Sequence, residues 1–348
     1  MRVGLVMGSG GVVGASYLVG VLEALRRQTG WEPSRADTII GTSAGAFIGA
    51  LTCALPVSLM YRHCTGEVPP DLEPECSPAL WQLAERLDSH NLGSWWQRYP
   101  LARHWPRLAL TSPQACASLW RRDPDRSLIM GLTGLIGDGL FSNRPIAAII
   151  REACAETWPH PGLRVTACDL DAGTRIVFGP EGSVPVHQAV AASTAVPGLF
   201  APVDLQGRRY VDGGAWSASN LDLIATAELD LVLAIIPLAG ATNLAHAGLA
   251  GRLSGWIDTV SRRHVDARLA AERLLVEATG TRVMVLTPAA ADRAGSNVLD
   301  HMNLAKRPAV MAATCRATAE RLVRDPAWAE VADQLRCEVQ SRAPSHAA

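Results

Sequence analysis

Short apolar runs and helical spacings alternate through the first fifty positions. Residues 3–7 form an apolar run that ends at glycines and predicts a core strand. Over 13–28, Tyr17, Val21, Leu22 and Leu25 recur on one side, which predicts a helix. A second short run over 37–40 ends at Gly41. Residues 44–54 are apolar and alanine-rich, as a buried helix requires. This alternation predicts a mainly parallel sheet covered by helices.

The pattern degrades between 56 and 138. Prolines recur there, and Trp81, Trp95, Trp96, Trp105 and Trp120 gather there. The segment reads as a cap of short helices and loops inserted in the domain. Regular periodicity then returns. It predicts a helix over 145–155, a hairpin of strands 163–169 and 174–178, and a helix over 186–192. Strands follow at 202–205 and 208–211 around Gln206-Gly207, with a fully buried strand at 229–236. A long helix over 249–278, a strand at 282–286 and a helix over 308–323 close the pattern. The expected organisation is one α/β domain over 1–330, then a helix end and flexible tail over 331–348.

Composition narrows the function classes. Apolar residues make up 48% of the 348, enough to fill a sizeable core. A formal net charge of -1 supplies no basic excess for nucleic acid. The eight cysteines form no C-x-x-C pair and no zinc-ligand spacing, and they read as reduced thiols in a cytosolic protein. No apolar run is long enough for a membrane-spanning helix, and residues 2–7 run into a glycine loop as a strand would, not as a signal peptide. The expected location is the cytoplasm, with peripheral membrane contact left open.

Three motifs carry chemistry. Gly41-Thr42-Ser43-Ala44-Gly45 is a G-x-S-x-G pentapeptide between a predicted strand and a predicted helix. In that context the serine sits on a tight turn that exposes its hydroxyl, and the helix N-terminus favours developing negative charge. The competing reading is a simple helix cap. Gly8-Ser9-Gly10-Gly11-Val12-Val13-Gly14 follows the first strand. It lacks the third glycine of a dinucleotide loop and the Gly-Lys-Ser/Thr of a phosphate loop. Gly10 and Gly11 could instead offer two N–H groups to an oxyanion, if the loop lies beside Ser43. A bare structural turn is the alternative.

A serine nucleophile also needs a proton acceptor. His187 falls on a predicted helix, His264 on a solvated helix face and His346 near the chain end, and none has the setting of a catalytic base. Asp212, in Tyr210-Val211-Asp212-Gly213-Gly214, ends a predicted strand and is the stronger candidate, although Asp-Gly alone is usually a turn.

In order, these motifs resemble those of the patatin-like phospholipase family, which pairs a glycine-rich oxyanion loop and a G-x-S-x-G serine with the aspartate of a D-G-G/A motif. Residues 192–203, Gly139-Leu140-Phe141 and 166–179 are also similar to family segments. The resemblance is good over 1–240 and looser beyond. One departure stands out: Val13 occupies the position where the family usually carries a basic residue. The resemblance implies a three-layer α/β fold with Ser43 and Asp212 as a catalytic dyad. It implies Gly10 and Gly11 as oxyanion donors, supported by Gly8, Gly14, Gly41, Gly45, Gly213 and Gly214. It further implies a lipid or phospholipid substrate, ester hydrolysis through an acyl-enzyme, and neither cofactor nor metal. Acyl transfer to another alcohol, a non-lipid ester substrate, and an inactive lipid-binding module are the alternatives. Oligomeric state is not legible.

Overall fold

The computed structural model describes residues 1–67, 130, 133–135, 137–139, 141–240, 248–288 and 302–341, with backbone alone for 248–261. Most of the tryptophan-bearing insert, and the tail beyond 341, lie outside these residues.

Strands β1 (Val3–Met7) and β2 (Thr38–Thr42) are joined by helix α1 (Gly11–Thr29). Helices α2 (Ala44–Ala54) and α3 (Val57–Thr65) follow, and α4 (Arg144–Cys154) leads into the hairpin β3 (Leu163–Asp169) and β4 (Thr174–Phe178). Next come α5 (Val186–Ser193), the hairpin β5 (Val203–Leu205) and β6 (Arg208–Asp212), and β7 (Leu231–Ile235). The chain closes with α6 (Gly248–Glu277), β8 (Arg282–Leu286), α7 (Arg307–Arg324) and α8 (Pro326–Ser341).

The eight strands form one sheet in the order β5-β6-β3-β2-β1-β7-β8, with β4 also paired to β3. β1 lies parallel to β2 and β7, and β2 parallel to β3. β4, β5 and β6 add the antiparallel pairs. All five residues of β1 and of β7 are buried, as a strand covered on both faces requires. Side chains alternate between the two covers. Val3, Leu5 and Met7 join a core built with α1, α2, α5 and α7, while Val6, Val232 and Ala234 pack with Leu221, Ile224 and the α6 residues Val265 and Leu269. This is the helix-covered, mainly parallel sheet the sequence pattern predicts, in the three-layer arrangement the resemblance implies, with the parallel strands at its centre.

Two boundaries differ from the sequence reading. The degraded pattern placed 56 at the start of the insert, yet α3 is a core helix with Val57, Leu59 and Tyr61 buried. Pro56 starts a new helix, its fixed backbone fitting the N-terminal edge of one. The segment from 331 belongs to α8, whose Trp328, Val331, Ala332 and Leu335 are buried in the main core. A boundary at 330 would cut through this packed helix. Leu335→Ala should therefore cost about 3 kcal/mol, as for a buried leucine, measured as a lower urea midpoint with unchanged slope. An unshifted midpoint would mean that α8 contributes nothing to the core.

Candidate active site

β3 fixes the site because two strands share one of its edges. β4 pairs with Val165 to Asp169 along one edge of β3. The other edge takes β2 opposite Leu163 to Thr166 and β6 opposite Ala167 to Asp169. β2 runs parallel to β3 and β6 antiparallel, so the two approach head to head. Their last residues, Thr42 and Asp212, face consecutive positions, Thr166 and Ala167. Residues 170 apart in sequence thereby become neighbours.

Ser43 follows Thr42 at the N-cap of α2, with φ 55° and ψ -116°. That backbone is strained for a residue with a Cβ. The turn forces α2 close against β1, and a Cβ on Gly45 would overlap the Met7 carbonyl. The second glycine of the pentapeptide is thus a requirement of packing.

One short segment holds both residues. The Ser43 N–H donates to Ser193 Oγ at 2.9 Å, and the Asp212 N–H donates to the Ala195 carbonyl at 3.0 Å. Asn220 braces the same junction from the opposite side. Its Nδ2 donates to Thr42 Oγ1 at 3.1 Å and to the Ser217 carbonyl at 2.6 Å. Its Oδ1 accepts from Arg175 at 3.1 Å. Arg175 is fixed in turn by a two-pronged pair with Asp222 at 2.7 and 2.8 Å, and it stacks over Trp216. Thr166 Oγ1 donates to Thr42 Oγ1 at 2.9 Å, completing the network.

Three influences act on the Asp212 carboxyl. Burial raises its pKa and is the largest; hydrogen bonds from the Ser43 side chain and the Gly214 N–H lower it. The Gly214 bond is 2.7 Å. The balance pushes the pKa up to about 7. No histidine contributes to this balance. His187 is buried on α5 near Arg151 and Glu156, and His264 is exposed on α6. His346 lies outside the described residues.

The glycine loop leaves β1 beside this junction, with Met7 opposite Gly41 in the β1–β2 register. Gly8 and Ser9 spend their N–H groups on Ile235 and Ala218 carbonyls, each at 2.9 Å. The loop then enters α1 earlier than the sequence reading has it, at Gly11 with φ 61°, a backbone glycine adopts freely. Gly10 and Gly11 are left with N–H groups that find no partner among the described residues. They belong to the orphan donors of a helix N-terminus, which favour an anion. Ser43's own N–H is committed to Ser193. Gly14 donates back to Gly10, and the Cα of Gly213 packs on Thr166.

Ser43 and Gly11 border one cavity of about 330 Å³, walled chiefly by apolar side chains. Among the described residues, no group of carboxylates, histidines and cysteines is arranged to hold a metal ion, and no single helix is long and apolar enough to cross a membrane.

The structure therefore brings Ser43, Asp212 and the glycine loop to one place. Sequence reading missed Asn220, Ser193, Thr166 and Arg175. Only an asparagine in a left-handed backbone, φ 51°, marks Asn220, and the sequence does not display that.

Two outcomes follow. Asn220→Ala removes a buried amide and strands its partners, which should cost about 2–3 kcal/mol in denaturant titration. The raised Asp212 pKa also ties stability to pH. Below pH ~4 the carboxyl is neutral in both states. As pH rises toward about 7 the unfolded chain ionises while the native one keeps its proton, so native stability falls and then levels off above 7. Asp212→Asn should abolish this loss, worth at most about 4 kcal/mol. Parallel stability–pH curves for the two proteins would contradict the buried carboxyl.

Residues 5–225 match the Patatin-like phospholipase family. Proteins described as uncharacterized NTE family members in Mycobacterium bovis and Mycobacterium tuberculosis are 27% identical over 238 residues, covering 67% of this chain and 48% of theirs. The chain thus spans about half the length of these curated relatives. Among solved structures, VipD from Legionella pneumophila aligns with a TM-score of 0.34 at 14% identity, over 92% of this chain and 67% of that one. The type III effector protein ExoU aligns at 0.30 and 14%, over 98% and 63%. With the family match spanning most of the chain, and its motifs converging on one junction, the protein belongs to the patatin-like phospholipase family.

Proposed function

We propose that the protein is a lipid acyl hydrolase working through a Ser43–Asp212 dyad. The observation that carries this reading is the convergence of a serine on a strained turn and a buried carboxyl whose pKa is pushed up to about 7, with Ser43 lining an apolar cavity. An ordinary carboxylate is too weak a base for a hydroxyl; one held near neutrality is better matched to the task.

In this mechanism the ester carbonyl places its oxygen at the Gly10 and Gly11 N–H groups. Ser43 Oγ bonds to the carbonyl carbon while Asp212 takes its proton. The tetrahedral intermediate collapses, the ester C–O bond breaks, and Asp212 returns the proton to the leaving alcohol. Water then attacks the acyl-enzyme and gives its proton to Asp212. The second intermediate releases the fatty acid, and Ser43 Oγ recovers the proton. The two orphan amides stabilise the oxyanion in both halves, a contribution typically worth about 3–4 kcal/mol per donor removed. A carboxylic ester of a lipid, including a phospholipid, fits the apolar wall and the family. No cofactor takes part in this scheme.

Ser43→Ala and Asp212→Asn should each lower kcat on short p-nitrophenyl esters by at least about a thousandfold. A fluorophosphonate probe should label Ser43 in the parent and not in Ser43→Ala. The kcat/KM profile should rise with pH through an apparent pKa near 7, because the base must be ionised. Failure of the probe to label the parent would indicate an inactive lipid-binding module, and esterase activity surviving in both variants would remove the dyad.

A further inference from the structure

We infer that the cavity is a blind acyl crevice that accepts one unbranched chain of about ten to thirteen carbons, which makes medium-chain acyl esters the substrate class. This rests on the hydrolase reading for its chemistry, but the crevice itself is built from the fold.

Two helices form its long walls. α1 and α2 both start at the sheet edge that carries the glycine loop and Ser43, and both run away from it. From α2 the lining residues are Ala44, Phe47, Ile48 and Leu51, with Leu55 just past its end. Their spacing of three to four keeps them on one face. From α1 they are Gly11, Val12, Ala15, Ser16 and Val19, again one face. The crevice is therefore a channel between two helix faces with the nucleophile at its head.

At the far end the lining passes from α2 to α3. α3 bends 113° from α2, and its Met60 lines the cavity together with Leu55. Ile146 and Ile149 of α4 and Met311 of α7 complete the sides. Among the described residues the polar lining apart from Ser43 is Ser16, Thr194, His63 and Arg307, and the Ser16 hydroxyl is turned to the Val12 carbonyl at 3.1 Å. Such a wall selects hydrocarbon.

Length follows from the helix rise of about 1.5 Å per residue. The α1 wall from Gly11 to Val19 is about 12 Å long, and the α2 wall from Ala44 to Leu55 about 16 Å. An extended hydrocarbon advances about 1.25 Å per carbon, from a C–C bond of about 1.5 Å and an angle near 111°. The walls thus span about ten to thirteen carbons.

The test is a p-nitrophenyl ester series from two to eighteen carbons. The parent should show its highest kcat/KM near ten to twelve carbons and fall at least about tenfold by eighteen. Ala15→Phe plugs the channel about 6 Å below Gly11 and should move the maximum to about four to six carbons. Met60→Ala opens the floor and should move it up by two or three. A profile that is flat or still climbing at eighteen carbons, or maxima that ignore both substitutions, would overturn the crevice while leaving the hydrolase reading intact.

The crevice is also testable without catalysis. Calorimetry of linear fatty acids on the Ser43→Ala protein should show affinity rising about fourfold per methylene and ceasing to rise near twelve carbons. Absence of saturable binding, or affinity indifferent to length, would overturn it. If the parent cleaves no ester in a Ser43-dependent way, the hydrolase reading fails and this binding series alone decides the crevice.

Discussion

A strand has two edges, and β3 gives the upper part of one to β6 and the lower part to β2. With β4 filling the opposite edge, neither strand can extend past the other. Their ends are pinned at consecutive β3 residues, and the chain must turn away at both. Where β2 turns it makes the strained backbone of Ser43; where β6 turns it leaves Asp212 followed by two glycines. The register therefore determines the contact of the two side chains before either side chain is considered. A slip of one residue in either strand would direct them to opposite faces of the sheet.

That junction leaves polar groups buried, and the surrounding residues answer them. Ser193 and Ala195 satisfy the two main-chain N–H groups, and Asn220 satisfies the threonine hydroxyls behind them. What is left less well satisfied is functional in character. Asp212 has a single neutral hydroxyl and one backbone N–H with which to offset its burial, so it keeps a pKa near 7 instead of becoming a firm anion. An arginine in place of the Gly214 N–H would stabilise the charge and lower the pKa.

The sequence displays the parts of this arrangement that depend on local chemistry. Glycines at 41 and 45, the 3–7 and 229–236 apolar runs, and the alanine-rich 44–54 each follow from packing needs that act over a few residues, and the elements start and end within two positions of where periodicity puts them. Non-local features are harder to read. Asn220 acts on residues 54 and 178 positions away, and Ser193 on one 150 away. The sequence reading has only a helix end from 331, whereas α8 starts at Pro326 and is held by α1 and the core rather than by its own propensity. α3 was hidden for a similar reason, its apolar face being only Val57, Leu59 and Tyr61 next to a proline-rich stretch.

Ser43, at the N-cap of α2, links chemistry to selectivity. The pentapeptide glycine that lets α2 pack against β1 also fixes the direction in which α2 leaves the nucleophile. Every third or fourth residue of that helix lines the cavity, and Leu55 and Met60 line it where the chain bends into α3. Reaction and substrate length are thus not separate inventions within this fold. In the proposed reading, the tight turn that exposes Ser43 also aims α2, and the length of that helix before Pro56 would set how much hydrocarbon can lie beside it.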